Sequence, residues 1–531
     1  MSFLIERMSV DMSRFNLFLK GSVLALSLAF SCGLFADTNM LHIATSVATT
    51  SGMEPAVGNY AVPEAITCTA PDFVNTNNIR YTCTGYTLET YADGVWTLQE
   101  TVADSTSFLC PADGTPRRVT WQWEATHYKV TIQLVPAGSG SVTVEPALPE
   151  DGYCAKGTKL TLTATPNEGR EHIGWADASK GYPEGPRSIT VTAAQTIRVG
   201  MAGKWTYSGT TLANGVWSIK ATKSSGVNCS LGGTIYSGFG KLDFRNLYGD
   251  AGIKITYISG SAFKDYNFIT SFFGPDIEDI GERAFQYCYQ IRDARLSPNL
   301  KRIPGFLFCD DSLLTNFEPR VGLKVSYLGN ISFRKCPITG DLSYPNATSG
   351  AEGTFQNTKI TSAYFPQLAS IPGSLFASCG NITNIVVKGS TIGKSCFSGC
   401  SKLKNLYLMT TTSITFKQYA MNGVPRTARV WCHSSVGPAS MHADAFYPPS
   451  SAQPYLRFYV KNCKDEAGWQ KFLTRVQNPG TTGYTPLTAS DKKLADYPGR
   501  TRTIGIRVQK NNSPVWFIKW PVGQFTFFEV R

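Results

Sequence analysis

Ile392-Gly393-Lys394-Ser395-Cys396-Phe397-Ser398-Gly399-Cys400, followed by Leu403, Leu406 and Leu408, is the stretch that decides the fold. Its pattern recurs upstream. Phenylalanine stands at 263, 285, 308, 333, 355, 376 and 397, a spacing of 21 to 25 residues. Five residues before each is Ile258, Ile280, Ile303, Leu328, Ile371 or Ile392, with Gly350 as the exception in the Phe355 copy. Three residues after come Cys288, Cys336, Cys379 and Cys400 in four copies, while Asp311 takes that place after Phe308. A period of this length predicts a stack of supersecondary units. One turn cannot bury its apolar face alone, so the Phe, Ile and Leu columns must share one core.

In each turn the apolar triplet, such as Ile291, Ala294 and Leu296, predicts a short parallel strand. Residues between triplet members then point outward, giving a column that includes Arg295, Glu318, Tyr364, Val386 and Tyr407. Arg295, Glu318, Tyr364 and Tyr407 are the candidate binding residues, because tyrosines and charged groups on one face can anchor a partner. In the Phe333 and Phe355 copies the first triplet residues, Ile338 and Ile360, fall one position early, so irregular turns are expected there.

Upstream, residues 37–126 read as a small β domain, with Asp93-Gly94 and Asp113-Gly114 as turn signals. Alternation places Trp121 and Trp123 on one face, expected to be core. Residues 127–203 read as a second β unit. Tyr128–Ile132 alternates, Gly138-Ser139-Gly140 turns, and Gly157-Thr158-Lys159-Leu160-Thr161-Leu162-Thr163-Ala164-Thr165-Pro166 leads to Gly174-Trp175. Residues 204–250 form a lead-in, with Lys241–Phe244 as the first strand of the stack. Residues 251–431 hold the repeats and 432–531 a C-terminal cap. The cap contains a strand at Phe458–Val460, a helix candidate at Asp465–Leu473 and a hairpin from Ile504 to Ile518.

The repeats resemble the BspA-like leucine-rich repeat, and 127–203 resembles the divergent InlB-type B-repeat. The fold class is therefore mainly β: a leucine-rich repeat solenoid with short parallel strands, preceded by two small β modules. The B-repeat resemblance implies a spacer with Trp175 in its core. The BspA-like resemblance implies adhesion to host, matrix or neighbouring-cell proteins or glycans.

Composition bounds the rest. Arg14 and Lys20 precede an apolar run from Gly21 to Ala36, the pattern of an export signal over residues 1–36. This predicts a secreted or bacterial cell-surface protein, with no membrane span after the signal is removed. The formal charge is +12, but no run of five or more Lys/Arg occurs, so no nucleic-acid partner is expected. Of the 14 cysteines, the four that follow the repeat are expected as buried ladder thiols. Cys68 and Cys83 are the better disulfide candidates.

No metal or other cofactor is expected. His433 and His442, with Asp444, fit no ligand spacing, and Asp276, Glu278, Asp279 and Glu282 lack the glycine and spacing of a calcium loop. No GxSxG, HExxH or phosphate-loop motif occurs. The reading is a noncatalytic binding or adhesion protein. The alternatives are a self-associating structural envelope or matrix protein, and a carbohydrate-active enzyme with appended modules.

Overall fold

The computed structural model describes residues 40–47, 52–62, 64–425, 427–434, 436–442, 445, 457–461, 508–510 and 513–520. The expected export signal and the helix candidate at Asp465–Leu473 lie outside the described residues. Two compact units divide the chain: Met1–Lys129 with Pro149–Thr158 and Val191–Ala194, and Val130–Leu148 with Lys159–Thr190 and Gln195–Arg531.

The first unit is built on antiparallel strands. Ile79–Ala92 and Val95–Ala103 form a hairpin across Asp93-Gly94, both at positive φ. That is the turn whose twist matches the flanking strands. The same strand pairs with Arg117–Lys129, the first part of the long strand Arg117–Val135. Leu41, Ile43, Val119 and Trp121 are fully or almost fully buried here, and Trp123 packs against the same cluster. Cys68 and Cys83 are both free, and Cys68 neighbours Cys110 instead. The antiparallel pairing of Ile66–Thr69 with Ser107–Cys110 produces that neighbourhood, setting Cys68 opposite Phe108 and Ile66 opposite Cys110.

In the second unit, Gly140–Glu145, Lys159–Pro166 and Arg187–Thr190 form one antiparallel sheet. Glu171–Ala176 pairs with Gln195–Ala202, which runs parallel to Val130–Val135. Trp175 is wholly buried, and its indole N–H donates to the Gly185 carbonyl at 2.8 Å. One hydrophobic core then runs from Ile173 to Ala445. Trp217 and Trp205 close the near end of the stack, donating to the Lys241 and Asp243 carbonyls at 2.9 and 2.7 Å. Those carbonyls belong to Gly240–Asp243, which pairs in parallel with Ile269–Gly274.

Each repeat makes the same turn. The Phe rings stack in one column, with centroids 5.0 Å apart for Phe263–Phe285, 5.7 Å for Phe333–Phe355 and 6.0 Å for Phe376–Phe397. Each Phe N–H donates into the following turn, from Phe263 to Ala284 through Phe397 to Ala420. The residue two before each Phe has positive φ: Ser261, Arg283, Phe306, Ile331, Gly353, Ser374 and Ser395. So does the residue two after: Asp265, Tyr287, Asp310, Lys335, Asn357, Ser378 and Gly399.

This geometry also reveals an eighth turn. Tyr419 and Gly423 have positive φ around Met421, Phe416 stands at the Ile position, and Val424 takes the cysteine position. All three apolar side chains are buried. The irregularity expected in the Phe333 and Phe355 copies is a register shift between Thr339–Ser343 and Lys359–Phe365: Gly340, at positive φ, pairs with Ile360 but Asp341 pairs with Ser362, which leaves Thr361 as the extra residue of a bulge. Gly350 replaces Ile because Pro372 and Leu368 already occupy its space; a Cβ there would lie 3.3 and 3.4 Å from them.

Candidate binding face

The triplet strands form two parallel ladders on one side of the turns. The first comprises Gly240–Asp243, Ile269–Gly274, Asp293–Leu296 and Asn316–Glu318. The second begins at Thr339–Ser343 and continues through Lys359–Phe365, Asn384–Val387, Asn405–Leu408, Arg429–Cys432 and Arg457–Lys461 to Ser513–Trp520. Between them, Pro319 occupies the third triplet position of the Phe308 turn. A proline has no N–H to give a ladder, and the pairing stops there. A single bridge, Val321 to Ser343, spans the gap.

The break sorts the four candidate residues into two patches. Arg295 and Glu318 are register partners in the first ladder, in line with Asp243 and Phe273. Arg245 and Arg295 both lie over the Phe273 ring, at 4.6 and 5.3 Å, a cation–π arrangement. Each guanidinium is also held by a carboxylate, Arg245 by Asp243 and Arg295 by Asp293 at 2.9 Å. Glu318 accepts the Arg320 N–H at 2.8 Å. This patch is largely satisfied internally.

Tyr364 and Tyr407 belong to the second ladder. The outward line runs Ser343, Tyr364, Val386, Tyr407, Trp431. Their strand neighbours Phe365, Ile385, Val387, Leu406 and Leu408 are wholly buried, so the line stands out from the core as the alternation requires. The Tyr407 and Trp431 rings stack with centroids 5.8 Å apart and planes within 9°. Burial pushes the Tyr407 phenol above its ordinary value, with the Arg429 charge opposing.

Beside this line is a polar one: Asp341, Ser362, Asn384, Asn405, Arg429. Ser362 donates to Asp341 at 2.6 Å and Asn405 donates to Asn384 at 2.8 Å. The Trp431 indole donates to the Asn405 side-chain oxygen at 3.3 Å, which fixes the ring over Tyr407. The arrangement is a row of half-buried aromatic and aliphatic surfaces flanked by amide and charged groups. It can make contact along several turns at once.

Trp431 and Phe273 were not among the residues singled out from sequence. Phe273 precedes the first complete triplet. Trp431 lies in the turn whose central residue is Met421, and the phenylalanine count passes over that turn. Its signal was the alternation of Val430 and Cys432 around it. Three of the four acidic residues singled out from sequence are engaged in ion pairs: Asp276 with Lys254, Glu278 with Lys301 and Asp279 with Arg302, at 3.3, 2.9 and 2.6 Å.

Residues 248–349 and 320–428 match the model of the BspA type leucine rich repeat region (6 copies), and residues 130–207 match the divergent InlB B-repeat domain. No match was found among curated proteins. Among solved structures, the chain is similar to a leucine-rich repeat protein of T. pallidum at 17% identity, over 35% of this chain and 87% of that one, with a TM-score of 0.29. It is also similar to a leucine-rich cell surface protein of Faecalibacterium prausnitzii at 13% identity, covering 48% and 90%, with a TM-score of 0.28. A leucine-rich repeat protein of Bacteroides ovatus gives 15%, 40% and 67%, with a TM-score of 0.24. The chain carries BspA-type leucine-rich repeats preceded by a divergent InlB B-repeat domain.

Proposed function

We propose that the protein is a noncatalytic adhesion protein, exported to the bacterial surface or beyond, that holds a protein or glycan partner along its second strand ladder. The observation that carries this reading is the Tyr364–Val386–Tyr407–Trp431 line. Aromatic side chains with polar tips give much contact area for little conformational entropy, and they recur as anchors in interfaces. The leucine-rich and B-repeat families fit a binding or adhesion role. Among the described residues no helix is long and apolar enough to cross a membrane.

Purified protein is screened against matrix proteins, mucins and whole neighbouring cells, beside a Tyr407→Ala/Trp431→Ala variant. Saturable binding that the folded variant loses supports the reading. Binding by neither protein, together with concentration-dependent growth in light scattering, favours the self-associating alternative.

A further inference from the structure

Charge is unevenly shared along the stack. Residues 254–352 carry 11 Asp/Glu and 11 Lys/Arg, and eight of those cations are in ion pairs. Residues 353–443 carry eight Lys/Arg and no Asp or Glu at all. The later turns therefore present basic groups with no carboxylate of their own to meet them.

Four of these cations gather on one side, at the strand starts of the second ladder. Lys402 and Lys404 flank Leu403, which is 1% exposed, so both point away from the core. Arg429 stands likewise between buried Ala428 and Val430, and Lys359 between buried Thr358 and Ile360. The register Ser362, Asn384, Asn405, Arg429 sets their rows. Three residues before Ser362, Asn384 and Asn405 come Lys359, Asn381 and Lys402. The Lys402 ammonium donates to the Asn381 side-chain oxygen at 2.8 Å, across one turn. One residue before come Thr361, Thr383 and Lys404. Thr361 and Ser362 both donate to Asp341, at 2.7 and 2.6 Å, so the row of Lys404 and the row of Arg429 face the same way. Lys359, Lys402, Lys404 and Arg429 are all exposed, and none forms an ion pair among the described residues. Asp341, at the first strand of this ladder, already takes the two hydroxyls. At about 4.8 Å per turn, the stripe runs about 14 Å from the Lys359 turn to the Arg429 turn.

Unpaired like charges at this spacing attract a chain of anions and concentrate it along the stripe. Three of the four are lysines, point charges on flexible stems that accept sulfate or carboxylate without a fixed geometry. Between them lie Thr383, Asn384 and Asn405, whose hydroxyl and amides both donate and accept, as sugar hydroxyls do. A nucleic acid would instead call for open ring faces on which bases stack. One face each of Tyr407 and Trp431 is covered by the other ring. We propose that the stripe of Lys359, Lys402, Lys404 and Arg429 holds an anionic polysaccharide, one bearing sulfate or uronate groups, laid along the turns. This rests on the second ladder being the docking face and names the class of partner that face takes. The stripe draws on three turns of the stack, so it leaves no Lys/Arg run in the sequence.

The test is calorimetric titration of the full chain at low and high salt. The probes are a heparin-derived octasaccharide, a desulfated and carboxyl-reduced form of the same length, an oligothymidylate and polyglutamate. The octasaccharide is expected to bind, and to bind less tightly as salt rises, while its neutral form does not bind. Lys402→Gln/Lys404→Gln is expected to weaken octasaccharide binding about tenfold, the worth of two exposed charge contacts. Lys394→Gln/Lys417→Gln makes the same charge change beside the separate ladder of Thr391–Ile392 and Thr415–Phe416, and should leave binding unchanged. Equal weakening by the two pairs overturns the proposal in favour of diffuse attraction. Absent octasaccharide binding overturns it too, as does oligothymidylate, polyglutamate or the neutral form binding as tightly. A screened partner that needs Tyr407 and Trp431 but ignores Lys402→Gln/Lys404→Gln overturns the polysaccharide and leaves the ladder as the docking face. Binding that no ladder substitution affects overturns both.

Discussion

The Cys336 thiol donates to the Phe308 carbonyl, 28 residues back, at 2.8 Å. The same bond joins Cys288 to Phe263, Cys379 to Phe355 and Cys400 to Phe376, at 3.0, 2.9 and 3.2 Å. Each cysteine is thus a hydrogen-bond donor tying one turn to the last, as well as a small apolar filler. Cys336→Ala is expected to cost about 1–3 kcal/mol in denaturant titration, combining a small cavity with the loss of one of the two hydrogen bonds to the Phe308 carbonyl, which keeps the Asp311 N–H. Cys336→Ser keeps a donor and is expected to cost less than Ala. The reverse order would show that the thiol acts by volume alone.

These thiols are also expected to be inert. Burial raises every one of them above the ordinary thiol range, Cys379 to about 11. A thiol reagent should leave Cys288, Cys336, Cys379 and Cys400 unlabelled in the folded protein, with labelling read by mass spectrometry. It should label all four in guanidinium. Rapid native labelling at any of them contradicts the packed column.

Asp311 breaks the cysteine column. It is fully buried between Cys288 and Cys336, and its oxygens face the Tyr287 and Cys288 backbone without a hydrogen bond of good geometry. Its other charged neighbour, Asp310, is held by Arg334 at 2.7 Å. Burial pushes the Asp311 carboxyl well above the usual carboxylate range. The folded state therefore holds a proton that the unfolded chain releases near its ordinary value. Stability is lost as pH rises from about 4 towards the folded value. Asp311→Asn is expected to stabilise the protein at neutral pH by about 1–3 kcal/mol, and the gain should shrink towards pH 4. A gain that does not change with pH would rule out the protonated carboxyl.

Glycine recurs in the turns for a steric reason. A Cβ on Gly393 would overlap the Gly373 backbone nitrogen, and Gly329 stands likewise against Gly305 and Gly281 against Gly260. Successive turns meet here backbone to backbone. Gly393→Ala should destabilise by more than about 2 kcal/mol, well above the helix-scale preference for glycine or alanine. A neutral result in thermal unfolding would contradict the spacing between these turns.

The Phe and Ile columns, and most of the apolar triplets, were legible in the sequence because each burial site demands one residue class at one spacing. The left-handed positions flanking each Phe were not. They are filled by residues as different as Ser261, Arg283, Phe306 and Ile331, held there by the stacked turns and by no shared residue preference. The Met421 turn was hidden because Met, Phe and Val replace Phe, Ile and Cys while keeping the apolar class. Tyr364 and Tyr407 could be placed on the outward line, but the separation from Arg295 and Glu318 could not. It depends on the single proline at 319 interrupting a ladder. The neighbourhood of Cys68 followed from a strand pairing about 40 residues apart, which spacing alone does not encode.

The Met421 turn carries its own expectation. Met421→Phe should extend the ring column and stay within about 1.5 kcal/mol of the parent, as volume-conserving exchanges do. Met421→Asp should loosen Asn405–Leu408 and Arg429–Cys432 first in hydrogen exchange. Uniform loosening of all turns would contradict a one-dimensional stack.

The central claim is that partners dock on the second ladder. Hydrogen-exchange mass spectrometry of the protein with a saturating partner from the screen tests it most directly. The account predicts new protection over Ser362–Tyr364, Asn384–Val387, Asn405–Leu408 and Arg429–Cys432, absent in Tyr407→Ala/Trp431→Ala. Protection confined to other parts of the chain, or unchanged by that double substitution, would contradict it.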